Sequence, residues 1–392
     1  MEMTIQEIQA RLVDQIALSS ETAILDTQVL LGHFLQKPRS WILAHPEAPI
    51  SKSQLASINL AVDQLTRGEP LPYVIGHWEF YGLDFQLSSD VLIPRPETEL
   101  LVERGITWLK SHPSKRNAID VGTGSGCIGI SLMKNIPDLH VVLTDISLQA
   151  LQIARSNAEK HGVSGRLEFR HTNLMEGIIG PFDVLCANLP YIPTALLMTL
   201  PVSKREPTLA LDGGVSGTEF IGKLLDQGRS QLVSGGLMLL EIESSQGVEA
   251  KALAQGLYPL SEILIIKDLS GYDRCLEIKR PRQLVHICPR EEWLMAQQRN
   301  IYQDEAFYQD GFIHCSQPEQ VLDVANCFYR GCSDLVLMWL DPDVLVSDIQ
   351  WEYIDGSMFP HVYGPINLEA VRSISALQPD NDGVFRTILL PA

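Results

Sequence analysis

The feature that most constrains this chain is a glycine-rich turn between an apolar run and a helical one. Asn117 to Val121 form a short apolar run, Gly122-Thr123-Gly124-Ser125-Gly126 follows, and Cys127 to Met133 reads as the start of a helix. A strand, a tight loop and a helix N-terminus in that order present backbone N–H groups to a ligand. Nineteen residues beyond Gly126, the run Val141-Val142-Leu143-Thr144 ends in Asp145. A second parallel strand would place that carboxylate against ribose hydroxyls. Leu167-Glu168-Phe169-Arg170 reads as a third strand and Phe182 to Ala187 as a further one, with helical stretches between. This alternation predicts an α/β fold with a parallel sheet covered on both faces.

The loop alone is ambiguous, because Gly124-Ser125-Gly126-Cys127-Ile128-Gly129 also fits the dinucleotide fingerprint. Asn188-Leu189-Pro190-Tyr191, directly after the strand ending at Ala187, tips the balance toward S-adenosylmethionine. An amide or aromatic-amine nitrogen has its lone pair delocalised into a carbonyl or a ring. It is a poor nucleophile until its N–H bonds are held in a geometry that favours attack. The Asn188 side-chain oxygen and the Leu189 carbonyl can each accept one N–H, while Tyr191 packs on the flat face of the group. Positioning then does most of the catalysis. Read alone, the string is also an ordinary turn, with Pro190 forcing Leu189 into an extended conformation. The glycine loop and Asp145 upstream weigh against that reading. Asp120 could hold the loop or a methionine amino group.

At 392 residues, 45% hydrophobic and 20% charged, the chain is long enough for two or three cores. No stretch approaches the roughly 18 consecutive apolar residues of a membrane span, and Met1-Glu2-Met3-Thr4 does not open like a signal peptide, so a cytoplasmic protein is expected. The seven cysteines (127, 186, 275, 288, 315, 327, 332) are odd in number and include no C-x-x-C pair. Reduced, mostly buried thiols are expected, with Cys127 a small apolar filler. In the N-terminal seventy residues, Ile5, Ile8, Leu12 and Ile16 recur at helical spacing, then Leu25, Val29, Leu30 and Phe34, then Leu55, Ile58, Val62 and Leu65. Ser51 with Gln54 reads as a capping box for the third helix.

Residues 1 to about 280 resemble the bacterial protein-(glutamine-N5) methyltransferases that modify peptide chain release factors. The resemblance is carried by Gly68-Glu69-Pro70, Glu79-Phe80-Tyr81-Gly82 and Val91-Leu92-Ile93-Pro94-Arg95-Pro96-Glu97-Thr98-Glu99. It continues beyond Tyr191 in Glu206-Pro207, Gly213-Gly214, Gly217, Glu241-Ile242, Gln246 and Asp268-Leu269-Ser270-Gly271-Tyr272-Asp273-Arg274. It implies a Rossmann-like class I S-adenosylmethionine methyltransferase fold. The parts would be a helical substrate-recognition domain (1–72), a linking hairpin (73–90) and the methyltransferase domain (91–281). Gly122, Thr123, Gly124, Ser125, Gly126, Asp145, Leu174 and Asn188 would hold the cofactor, with Asn173-Leu174 covering the adenine. Asn188, Leu189, Pro190 and Tyr191 would hold the acceptor, and no metal is needed. The implied substrate is the glutamine of a Gly-Gly-Gln loop in release factors, which would place the reaction in translation termination. Two departures stand out: Leu189 where the family usually has proline, and Glu243 where it tends to have glycine. Leu189 keeps the acceptor carbonyl and loses only the fixed φ of proline.

The Asn-x-Pro-Tyr string is shared with enzymes that methylate exocyclic amines of adenine or guanine in nucleic acid. A formal net charge of −18 disfavours that alternative, since the densest basic cluster is Lys279, Arg280 and Arg282. No direct nucleic-acid or membrane partner is expected.

Gln283 to Ala392 has five arginines, no lysine and sixteen Asp and Glu, so 5 − 16 = −11 of the net charge lies there. Val285-His286-Ile287, Gly311-Phe312-Ile313-His314-Cys315-Ser316, Trp351-Glu352 and Phe359-Pro360-His361-Val362-Tyr363-Gly364-Pro365 resemble a small bacterial domain family of uncharacterised function. That resemblance implies an α+β domain (283–392) of ADP-ribosyltransferase-like fold. His286, His314 and Glu352 could line a nicotinamide-nucleotide cleft, and His361 lies in a Pro/Gly-flanked loop. The histidines could equally be hydrogen-bonded core residues, or His286, His314 and His361 could bind a metal, although their spacing gives no motif. The tail could also act only as a tether or regulator, or be the active part of a scaffold.

Overall fold

The computed structural model describes residues 3–17, 20–259, 261–342 and 344–389. The N-terminal part is helical. Helices Ile5–Ile16, Ala23–Leu35 and Lys52–Thr66 enclose a core of Ile5, Ile8, Leu12, Ile16, Leu30, Leu31, Ile58, Val62 and Leu65. Both ends of the Ser51 capping box form, since Ser51 Oγ accepts from Gln54 N–H and the Gln54 side chain accepts from Ser51 N–H. Thr4 and Glu7 make a second box at the first helix. Leu25, expected on the buried stripe, is exposed; Ala23, Thr27, Leu30 and Leu31 form the inner face instead.

Tyr73 lies in a short helix, Leu71–Ile75, so the hairpin begins later than the sequence suggested, with strand His77–Phe80 pairing Leu83–Gln86. Tyr81 and Gly82 both have positive φ, the backbone of a tight two-residue turn. The hairpin is fastened by buried Asn157 of helix Leu148–Lys160. Its Oδ1 accepts Gln86 N–H at 2.7 Å, while its Nδ2 donates to the carbonyls of Gln86 (3.1 Å) and Ser125 (2.9 Å). One amide thus ties the hairpin to the glycine loop.

The central sheet has seven strands in the order 262–267, 273–279, 232–241, 182–187, 117–121, 140–145, 167–171. The five strands from 232–241 to 167–171 run parallel, whereas 273–279 and 262–267 add antiparallel to one edge. The sheet is therefore mixed, not wholly parallel. Phe182–Ala187 and Leu232–Glu241 are buried at every position, as central strands covered on both faces must be. Their C-terminal ends, with that of Asn117–Val121, lie at one edge of the sheet and deliver the glycine loop and Asn188 to a common cleft, with Glu241 buried behind it.

Residues beyond the sheet form an α+β unit with two three-stranded antiparallel sheets, one of strands 284–289, 335–340 and 371–377, the other of 313–314, 357–363 and 348–354. The unit is pinned to the methyltransferase part by a fully buried ion pair between Arg280 and Glu319. Arg280 Nη1 also donates to the carbonyls of Arg229 and Leu232, and Arg229 Nη2 donates to Glu319 O at 3.2 Å. Among the described residues no helix is long and apolar enough to cross a membrane.

Candidate active site

A cavity of about 320 Å³ opens at the C-terminal ends of the parallel strands. Gly122, Thr123, Gly124, Ser125, Asp145, Leu174, Asn188, Leu189 and Pro190 all line it, so most of the expected site residues share one space. Gly126 and Tyr191 are outside its lining.

The glycine loop has separate reasons for its three glycines. Gly122, Gly124 and Gly126 have φ of +70°, +55° and +83°, a region side chains rarely enter. A Cβ at Gly126 would meet Ile130 Cδ1 at 2.9 Å, whereas one at Gly124 would meet nothing within 4 Å. The first of these is packed against its helix and the second faces open space where a ligand can approach the backbone. Asp120, fully buried, accepts from Thr123 Oγ1–H at 2.7 Å and Gly129 N–H at 3.0 Å. Burial pushes its carboxyl up to about 6. It therefore holds the loop and does not line the cavity.

Asp145 is aimed by two backbone donors, Gly124 N–H to Oδ2 at 2.9 Å and Ser147 N–H to Oδ1 at 2.8 Å. Burial raises its pKa, opposed by those N–H groups. Leu174 adopts φ +54° and turns its side chain into the wall with Ile146 and Phe220. The outer wall includes Val91, Leu92, Pro94, Pro207, Leu209 and Ala210, on two segments drawn together by the ion pair of Arg95 with Glu206, which also accepts Ile93 N–H at 3.2 Å.

Asn188 is held by a chain of side chains that the sequence reading gave no role. Its Nδ2 donates to Thr98 Oγ1 at 3.1 Å, and Thr98 Oγ1 donates to Glu241 Oε2 at 2.6 Å. Tyr191 donates its hydroxyl proton to Glu241 Oε1 at 3.3 Å. Glu241 is buried, which pushes its carboxyl up to about 7 against the opposing pull of Thr98 and Arg274. One N–H of Asn188 is thus committed to Thr98, which orients the amide and leaves its Oδ1 as the atom available to accept.

The backbone around the string is clamped from a second side. Gln246 Nε2 donates to Tyr191 O at 2.9 Å, and Glu243 N–H donates to Gln246 Oε1 at 3.1 Å. The Glu243 carboxylate in turn accepts from Ser244 Oγ–H and Ser245 N–H, both at 2.7 Å. This gives Glu243 a physical role: it shapes the turn that aims Gln246. Leu189 is buried in the core beneath the loop, its Cδ2 lying 3.0 Å from where a Cβ on Gly122 would sit. Cys127 lines the same cavity, but burial drives its thiol up to about 12, which suits a filler and not a nucleophile.

In the C-terminal unit the structure brings His314, His361 and Glu352 together. His314 Nδ1 lies 3.4 Å from His361 Nε2, and His361 Nδ1 lies 3.2 Å from Glu352 Oε2. His286 touches this group only through its Nδ1, which donates to the His314 carbonyl at 2.7 Å; its Nε2 faces the Tyr302 hydroxyl at 2.7 Å. The three imidazoles therefore do not converge as ligands. Among the described residues no group of three His, Cys, Asp or Glu is arranged to hold a metal.

Residues 5–76 match the family described as PrmC N-terminal domain, residues 97–197 the methyltransferase small domain, and residues 287–374 a protein of unknown function, DUF952. The release factor glutamine methyltransferase of Moorella thermoacetica is 38% identical over 276 residues, 70% of this chain and 97% of that protein. That of Coxiella burnetii is 34% identical over 282 residues, 71% of this chain and 99% of that protein. Among solved structures, protein CC0527 from Caulobacter crescentus is 33% identical, covering 26% of this chain and 93% of its own, with a TM-score of 0.26.

Proposed function

The chain belongs to the release factor glutamine methyltransferases, and on that premise we propose that Asn188, Leu189, Pro190 and Tyr191 hold the acceptor glutamine beside the cofactor cavity. The enzyme transfers a methyl group from S-adenosylmethionine to the side-chain amide nitrogen of a release factor glutamine, and we assign that glutamine to a Gly-Gly-Gln loop. What supports placing the acceptor amide at Asn188 is that residue's orientation, with one N–H donating to Thr98 Oγ1 and Oδ1 left to accept.

The cavity fits the cofactor. Gly124 offers an open backbone cradle, Asp145 presents fixed carboxylate oxygens for ribose hydroxyls, and Ile146, Leu174 and Phe220 supply apolar wall for an adenine. S-adenosylmethionine brings an activated methyl on a sulfonium; the protein has only to aim the acceptor. Asn188 Oδ1 and the Leu189 carbonyl would each accept one N–H of the glutamine amide, turning its nitrogen lone pair out of conjugation and toward the cofactor side. Tyr191, fixed by Glu241 and Gln246, would pack on the amide face. As the N–CH₃ bond forms the S–CH₃ bond breaks, leaving S-adenosylhomocysteine, and the surplus N–H proton passes to water; none of these steps requires a metal.

Asn188→Ala should lower turnover by about a hundredfold or more while leaving the Kd for S-adenosylmethionine within a few-fold of wild type. Equilibrium binding beside single-turnover transfer checks this, and a collapse of cofactor affinity would make Asn188 a cofactor-holding residue and not the one that orients the acceptor.

We place the helical part, to about Gly76, as a grip on the release factor and the enzyme in the cytoplasm with its substrate. For residues 283–392 we propose a nucleotide-binding role through His314, His361 and Glu352. Calorimetry should detect heat on titrating NAD in the millimolar range; no heat and no thermal shift would overturn it.

A further inference from the structure

We infer that Thr98 and Glu241 form a proton-parity relay that sets which end of the Asn188 amide faces the acceptor, so that transfer proceeds only while Glu241 is ionised. This rests on the reading of Asn188 as the residue that accepts from the glutamine amide.

The protons along this buried chain can be counted. A threonine hydroxyl has one proton to give. At 2.6 Å from Glu241 Oε2, the Thr98 hydroxyl makes a contact of the length found when an O–H donates to a carboxylate. With its proton committed there, Thr98 Oγ1 can only accept from Asn188, so the NH₂ end of that amide must point at it, as found at 3.1 Å. Oδ1 is then the end turned to the acceptor. Because Tyr191 donates to Oε1, a proton taken up by Glu241 goes to Oε2, and there it reverses each link. The carboxylic acid donates to Thr98, Thr98 donates to Asn188 Oδ1, and the amide flips to present NH₂ to the glutamine NH₂. Two donors face each other and the acceptor is no longer held.

The surroundings allow such a switch. Thr98 comes from the turn Pro96–Thr98, Glu241 from the end of strand Leu232–Glu241, and both are buried at 2% and 1% exposure, so water does not substitute for either partner. The titratable and charged groups around Glu241 are Tyr191 on its other oxygen, Arg274 from the neighbouring strand, Glu97 beside Thr98, and the buried thiols Cys127 and Cys275. Arg274 favours the ionised form, while burial and Glu97 oppose it, which places the midpoint near neutrality. Protonation below that midpoint, and not ionisation above it, is the inactive side. Thr98 and Glu241 are positioning residues here; neither touches the reacting atoms.

The test compares the full chain with Thr98→Val and Thr98→Ser. Single-turnover methylation of release factor, followed from about pH 5.5 to about 8.5, should show an acid limb near 7 in the wild type and in Thr98→Ser. Thr98→Val, with no proton to pass, should transfer roughly tenfold to a hundredfold more slowly at high pH and lose the limb. In parallel, selective ¹⁵N labelling of asparagine should show the Asn188 side-chain amide shifting with the same midpoint in the wild type without substrate, and not in Thr98→Val. A Thr98→Val enzyme with the wild-type rate and pH profile, or an Asn188 amide signal insensitive to pH across that range, would overturn the relay. Failure of the wild type to methylate release factor would instead defeat the functional reading, and the amide titration would still judge the relay.

Discussion

Leu189 shows how one side chain can serve two ends. Its carbonyl is the second acceptor of the site, and its side chain is buried against the glycine loop at Gly122. Proline at this position would fix φ at the cost of that packing. We therefore expect Leu189→Pro to raise turnover, through a better fixed carbonyl, and to lower stability by about 1–2 kcal/mol for the lost apolar contact. Turnover and chemical denaturation of the same preparation check both halves, and unchanged turnover would contradict the first. At this scale the glycine loop, Asp145 and Asn188 were legible because backbone and charge requirements leave their mark on residue type at fixed spacing. Thr98 and Glu241 were visible only as members of matching segments. They lie 143 positions apart, and nothing in either local pattern announces that one will donate to the other.

Among the elements, the loop 213–219 is the one on which the catalytic string leans. Gly217 has φ +87°, and a Cβ there would fall 2.4 Å from Tyr191 O and 2.7 Å from Gln246 Nε2. Gly217→Ala should therefore displace the Tyr191 carbonyl from its clamp, cutting transfer at least tenfold and costing roughly 1–3 kcal/mol of stability, with cofactor binding retained on the separate glycine loop. Gly256→Ala is the control, since that helical glycine has nothing within 4 Å of a new Cβ. It should be neutral or slightly stabilising in a denaturant titration. Helices were legible from apolar spacing and caps, as Ser51 with Gln54 shows. Leu25 was misread because Ala23 and Thr27, small and polar, carry the inner face of their helix where a stripe of large apolar residues was sought. The two antiparallel edge strands were missed for a related reason: strand direction follows from how the chain returns to the sheet, and residue alternation does not encode it.

For the whole molecule, charge and connectivity set the context of the site. The appendage holds −11 of the net −18 yet is fastened by Arg280 and Glu319, a pair sealed from water and supported by Arg229 at the end of helix Glu219–Gln231. The first turn of that same helix contributes Phe220 to the cofactor cavity. The acidic surface is a poor match for polyphosphate backbones and leaves a protein as the fitting acceptor. The amide that Asn188 orients is that of a release factor glutamine. The direct check is to supply radiolabelled S-adenosylmethionine to the enzyme and to Asn188→Ala with purified release factor and, separately, to the enzyme with unmethylated DNA and ribosomal RNA. Label is expected on the release factor with the enzyme and not with Asn188→Ala; it should disappear when the acceptor glutamine is replaced and be absent from either nucleic acid. Label on nucleic acid alone would contradict this assignment.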